Sequence, residues 1–154
     1  MIITRKFGGP NRNTFTIKPI REFLEQHVGK DEFWIDPFAN EASIANVTND
    51  LNPKFNTDYH MPAEDFMKIF EDNSIDGVLF DPPYSPTQVK QCYEGIGLGV
   101  SLHETQATFW SRIRDEIQRV LKPGGKAICF GWNTNGCGKS RGFELERKGN
   151  GAVL

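Results

Sequence analysis

An open α/β architecture built on a parallel sheet is the fold class this sequence predicts, on three observations. Short apolar runs that stop at turn residues alternate with segments of helical hydrophobic spacing. One of those runs, Gly77-Val78-Leu79-Phe80, is continuously apolar, as in a strand buried on both faces, and it halts at Asp81-Pro82-Pro83. The chain has 154 residues, 38% hydrophobic and 25% charged, which is enough for one substantial core and too little for two. A single domain over 1–154 follows, with 1–14, rich in Gly, Pro, Asn and Arg, as an irregular arm.

The elements follow in order. Ile20, Phe23, Leu24 and Val28 have helical spacing. Pro19 sits where a first turn tolerates it, and Gly29 where a C-cap is wanted. Phe33-Trp34-Ile35 reads as a buried strand ending at Asp36-Pro37, and Ile44 to Thr48 as a weaker one closed by Asn49-Asp50-Leu51-Asn52-Pro53. Pro62 to Phe70 is helical through Phe66, Ile69 and Phe70. After the Gly77–Phe80 strand, residues 85 to 107 mix Gly, Ser, Thr and polar residues, predicting a mobile crossing loop. Phe109, Ile113, Ile117, Val120 and Leu121 mark a strong amphipathic helix ended by Lys122-Pro123-Gly124-Gly125. Lys126 to Trp132 is another buried strand, and Phe143-Glu144-Leu145 a last candidate.

Several function classes lose support from composition. No run of 18 apolar residues occurs, and Met1 to Asn13 has basic residues without an apolar core, so a soluble, cytoplasmic protein is expected. Cys92, Cys129 and Cys137 show no CxxC spacing, which predicts reduced thiols in structural roles rather than a disulfide framework, a zinc cage or nucleophiles. His27, His60 and His103 also lack metal spacing, so no metal is expected. A net charge of −2 gives no global attraction to nucleic acid. Two local clusters could still form a basic face: Arg5, Lys6 and Arg12, and Lys139, Arg141, Arg147 and Lys148.

Ligands of open α/β sheets bind outside the carboxyl ends of the strands. Asp36, Asp50 and Asp81 fall at predicted strand ends, and Asp65 follows a short extended segment. One such Asp could be only a helix cap. Four at one rim suit a ligand with ribose hydroxyls, an amino group and a cationic centre. In Asp81-Pro82-Pro83-Tyr84 the prolines fix φ and remove N–H donors, leaving rigid carbonyl acceptors. A carboxylate and such a carbonyl can accept both hydrogens of an exocyclic NH₂, and Tyr84 offers a flat face for a base.

That segment resembles the [DNS]PP[YFW] motif of the S-adenosylmethionine-dependent amino-methyltransferases of nucleic acids. The Asp form is typical of adenine-N6 methylation of DNA. The resemblance implies a Rossmann-like class I methyltransferase sheet, with Asp81, Pro82, Pro83 and Tyr84 as the catalytic set: Asp81 and Pro82 hold the target amine, and Tyr84 stacks on a flipped base. It extends over most of the chain. Phe15 to Ile20 is similar to the family's Lys-Pro cofactor motif, implicating Lys18 and Pro19. Asp36-Pro37-Phe38 matches its Asp-Pro-Phe motif, Asp50-Leu51-Asn52-Pro53 its ribose-binding acidic motif, and Asp65 the place beside the cofactor adenine. Asp81 adjoins the cofactor as well.

Three departures shape the expectation. Ala39-Asn40-Glu41-Ala42-Ser43 stands where the family carries glycines, so the cofactor loop must differ. Too few residues separate Asp36 from Thr48 for a full crossover helix, which is therefore shortened or missing. The C-terminal strand pair is expected to be incomplete and no separate target-recognition domain is present, so recognition falls to a homo-oligomer or partner subunit. Alternative readings are N-methylation of an RNA base or protein amide, and a degenerate methyltransferase fold serving as a non-catalytic binding module.

Overall fold

The computed structural model describes residues 3–4, 18–83, 107–130, 137–144 and 147–151. Its elements are β1 (Ile3–Thr4), α1 (Lys18–His27), β2 (Trp34–Asp36), β3 (Val47–Thr48), α2 (Ala63–Met67), β4 (Ile75–Phe80), α3 (Ala107–Val120), β5 (Leu121–Cys129), a 3₁₀ turn (Lys139–Arg141) and β6 (Arg147–Gly151). Four strands form a parallel sheet in the order β3-β2-β4-β5. The α/β class is therefore observed, and the arrangement is compatible with a Rossmann-like sheet.

Strand alternation divides the core in two. Trp34, Leu79 and Ile128 turn to one face, where Phe23 and Leu24 of α1 cover them. Ile35, Val78, Phe80 and Ala127 turn to the other and meet Phe66 and Met67 of α2 and Phe109, Ile113, Ile117 and Val120 of α3. Ile113 and Ile117 are wholly buried, each removing enough apolar surface from water to stabilise by about 2 kcal/mol. On the opposite side of α1, Lys18–Glu22 and Arg21–Glu25 pair at i, i+4 in solvent.

The centre of the sheet depends on one close approach. Trp34 and Gly77 are register partners on β2 and β4, and a Cβ at Gly77 would overlap the Trp34 indole. Glu32 holds that indole from its other edge by accepting from Nε1 at 3.0 Å, and also accepts from the Gly29 N–H (2.9 Å) and Lys126 Nζ (2.7 Å). Burial raises the Glu32 carboxyl, but the bonds from Lys126, Gly29 and Trp34 together hold it below its ordinary value. Gly29 is thus needed to leave room for the Glu32 side chain; its φ is not positive, so it is not the left-handed cap that the sequence suggested.

Arg119, near the end of α3, organises the second layer. Its guanidinium donates to the carbonyls of Met67 (3.0 Å), the last residue of α2, and Phe70 (2.9 Å), just beyond it, and to the carboxylates of Asp72 (2.7 Å) and Glu116 (2.7 Å). Asp72 and Glu116 favour its charged form.

Other expectations shift. The 44–48 strand shrinks to Val47–Thr48 because Asn46 caps it: its Oδ1 accepts from the Trp34 N–H and its own N–H donates to the Trp34 carbonyl. Ile44 remains exposed. Residues 37–46 contain no helix, so the first crossover helix is missing and not merely short. β5 begins at Leu121, earlier than predicted, because Lys122–Gly125 stay beside β4 through an irregular register, with Gly124 at φ +79°. Phe143 and Glu144 are not strand; Leu145, and Trp132 of the other predicted strand, lie outside the described residues. Instead Arg147–Gly151 pairs in parallel with Ile3–Thr4, which places a strand inside the arm expected to be irregular and keeps β6 out of the larger sheet. Neither segment has alternating hydrophobicity, so backbone pairing alone defines them. The predicted crossing loop lies outside the described residues except for Ala107, which opens α3.

Gly77→Ala is expected to destabilise the fold by about 3 kcal/mol, since the new methyl must displace a fully buried indole whose Nε1 is bonded to Glu32. Chemical denaturation read through tryptophan fluorescence checks this; an unchanged midpoint would mean that the sheet opens freely at β2 and β4.

Candidate active site

From β2 the chain passes first to β3 on one side and then to β4 on the other, so the strand order reverses between β2 and β4. A crevice at the carboxyl ends is expected at such a switch point. Asp36 ends β2, and Asp81 follows β4 immediately.

Asp36 has no exposed surface. Its Oδ1 accepts from the Phe38 N–H (2.9 Å) and its Oδ2 from the Ser43 hydroxyl (2.6 Å). Burial pushes its carboxyl up to about 7; the Ser43 and Phe38 bonds oppose the rise, and the charges of Asp81 and Asp50 add to it. These carboxylates therefore share one electrostatic environment. Asp50 is partly buried beyond β3, accepting from the backbone N–H groups of Asn40 (3.1 Å) and Asn52 (2.8 Å). Burial raises it too, against those bonds and the nearby His60.

The loop between β2 and β3 accommodates its lack of glycine through Asn40, which takes φ +51°. Asparagine is among the few residues that tolerate this left-handed conformation. Asn49, fully buried, joins the loops: its side chain donates to the carbonyls of Pro37 (3.1 Å) and Met61 (2.9 Å) and accepts from the Met61 N–H (3.1 Å). Its backbone bonds Asp36 and Ala39 as well. Ser43, Asn40 and Asn49 are site-building residues that the sequence did not single out. Asn49 looked like part of a turn, and nothing local distinguishes it from the asparagines that only bend chains.

The remaining predicted residues are distributed unevenly. Pro37 is buried, and Phe38 packs edge-on against Phe80 (5.8 Å between centroids) and Trp110 (5.9 Å), linking the β2 end to β4 and α3. Pro82 is buried, with Asp81 and Pro83 partly exposed at the rim; Tyr84 lies outside the described residues. Asp65 is exposed in the first turn of α2 and pairs with Lys68 at 3.5 Å. Lys18 is exposed at the start of α1 beside Glu22, and the side chain of Pro19 lies outside the described residues. Among the described residues no three His, Cys, Asp or Glu side chains converge to hold a metal ion.

Arg141 is withdrawn from the proposed basic face, since it donates to Asp115 and to the Ser111 hydroxyl (2.7 Å), leaving Lys139 exposed beside it. Arg5, Lys6, Arg12 and the side chains of Arg147 and Lys148 lie outside the described residues. No helix among the described residues is long and apolar enough to cross a membrane. No family model matches the chain, and no curated protein proves similar to it in sequence.

Because the folded Asp36 carboxyl titrates near 7 while an unfolded Asp titrates near 3.8, the native state binds the extra proton between these values. Stability contributed by this group is complete below about pH 4 and declines as pH rises toward 7 and beyond. Asp36→Asn keeps the shape and both hydrogen bonds, with Ser43 as acceptor, and is expected to flatten that decline. Melting temperatures of both proteins between pH 5 and 8 check this; parallel curves would show that Asp36 is charged throughout.

Proposed function

We propose that this chain is an S-adenosylmethionine-dependent methyltransferase acting on an exocyclic amine of a nucleic-acid base, with N6 of adenine in DNA as the preferred acceptor. The observation that carries the reading is the placement of Asp36 and Asp81 at the carboxyl ends of β2 and β4, on either side of the switch point, with Asp50 beyond the neighbouring end of β3 and Asp81-Pro82-Pro83 closing β4. Asp81 at the rim and the partly buried Asp50 favour a ligand carrying positive charge, and Asp50 at the end of β3 is suited to the hydroxyls of a ribose.

The residues present fit such a cofactor. Asn40 lets the loop backbone take the left-handed conformation that glycine usually supplies, and Asn49 fixes that loop. When bound, S-adenosylmethionine supplies an electrophilic methyl group on a sulfonium. Asp36, sealed beneath the loop, positions the Phe38 N–H and Ser43 and has no surface with which to meet the ligand directly. Lys18, Pro19 and Asp65 enter the reading through family resemblance. The exposed pairs holding Lys18 and Asp65 are weak enough to exchange for a ligand.

At the acceptor, Asp81 and the Pro82 carbonyl receive the two N–H bonds of the amine and aim its lone pair at the methyl group. Asp81 also balances the positive charge that develops on nitrogen. Tyr84 is assigned the face of the extruded base. A cytoplasmic setting suits reduced thiols. With a net charge of −2, target recognition falls to a second copy or a partner subunit.

A second reading, a non-catalytic module of methyltransferase descent, draws on the absence of a helix in residues 37–46. Calorimetric titration with S-adenosylmethionine and S-adenosylhomocysteine separates the two, because only the first requires heat of binding. Asp50→Ala is expected to weaken cofactor binding by roughly 1.5 to 3 kcal/mol through loss of a charged hydrogen bond; unchanged affinity removes Asp50 from the site. Asp81→Ala is expected to abolish methyl transfer to adenine-containing DNA while leaving cofactor affinity within about a few-fold, its principal contacts being with the amine. Near-normal transfer by that variant would overturn the catalytic assignment.

A further inference from the structure

Cys129 and Cys137 were expected to be reduced thiols in structural roles, and their sulfurs are 3.4 Å apart. Cys129 closes β5 in register with Phe80, the residue before Asp81, and the Phe130 N–H donates to the Phe80 carbonyl at 3.0 Å. Cys137 is fully buried and opens the 137–144 segment, which Arg141 fastens to α3 through Asp115 and Ser111. Burial pushes the Cys129 thiol well above its ordinary value and Cys137 adds to the rise; the nearby guanidinium of Arg114 on α3, whose Nε is buried with no hydrogen-bond partner among the described residues, opposes it. The thiolate is the form that reacts, so attack by Cys129 depends on that guanidinium to offset the cost of burial.

We propose that Cys129 and Cys137 are a reversible dithiol–disulfide couple that clamps the carboxyl end of β5 to the α3-bound segment and so regulates the rim carrying Asp81. Its effect on ligand binding rests on the function proposed above; the couple itself does not. The oxidant is a small-molecule disulfide of the glutathione class. Cys129, the partly exposed partner, attacks one sulfur as thiolate and expels one thiol. Cys137 then attacks the Cys129 sulfur and expels the second. Two protein thiols become one disulfide, and the external disulfide leaves as two thiols. The sulfurs need only close from 3.4 Å to about 2.05 Å.

The test treats the full chain with oxidised glutathione and reads it by intact mass, alkylation and melting. The expected product lacks two hydrogens and no glutathione remains attached. Cys92 stays alkylatable, the melting temperature rises by roughly 5 °C, and a thiol reductant restores the starting state. Cys92→Ser should still form the bond, and Cys129→Ser and Cys137→Ser should each stop at a mixed disulfide or remain unmodified. Arg114→Gln should slow formation several-fold without changing the product. A bond that includes Cys92, three thiols still open to alkylation after oxidation, or a melting temperature that does not rise overturns the couple. An unchanged rate in Arg114→Gln overturns the part given to the guanidinium. Titrating S-adenosylhomocysteine into both forms reads regulation separately: different affinities support it, and equal affinities overturn it. If neither form gives heat, the methyltransferase reading fails together with control of its cofactor site, while the mass and melting results still decide the couple.

Discussion

The packing of the Trp34 indole over Gly77 is the contact on which the site depends. It fixes the register between β2 and β4, and that register brings Asp36 and Asp81 to one rim. A slip of one residue in β2 would turn Asp36 to the opposite face and separate it from Ser43. The glutamate under the indole reinforces the same register from the other end of the sheet, where Glu32 gathers Gly29, Trp34 and Lys126. Precision at the acidic rim is thus set by an aromatic ring and a missing side chain several residues away.

The parts of the fold legible in the sequence are those whose signal is periodic. The helix of Phe109, Ile113, Ile117 and Val120 and the apolar strand ending at Phe80 are placed by burial alone, and the structure places them accordingly. The strand-end aspartates were visible for a related reason, since each closes a predicted strand, although any one of them alone could be a helix cap. What stayed hidden depends on bonds between distant residues. Nothing around Asn49 announces that its amide will bridge Pro37 and Met61, and nothing in Arg147-Lys148-Gly149-Asn150-Gly151 announces a partner at Ile3. Gly29 illustrates the converse error: a glycine after a helix suggested a left-handed cap, but the requirement is room for the Glu32 side chain.

The segment between β2 and β3 shows how a site can be built without the residues usually associated with it. Asn40 reaches a backbone conformation most often given to glycine, and the Asp50 carboxylate accepts from its N–H. Without a helix, the loop is stabilised by polar side chains: Ser43 on Asp36, Asn46 on Trp34 and Asn49 on Pro37. Such a loop is rigid only while every one of these bonds is made, so its order and its polarity are the same property.

Arg119 has a bearing on how the molecule comes apart. Because a side chain of α3 bonds the Met67 and Phe70 carbonyls at and just beyond the end of α2, the shorter helix cannot fray there without uncovering a guanidinium, and the longer one cannot lift without breaking both bonds. The two helices on that face of the sheet therefore protect their amides as a single cooperative unit. On the other face α1 is held by its apolar stripe and by the Lys126 bond to its His27 carbonyl, neither of which is shared with α2 or α3.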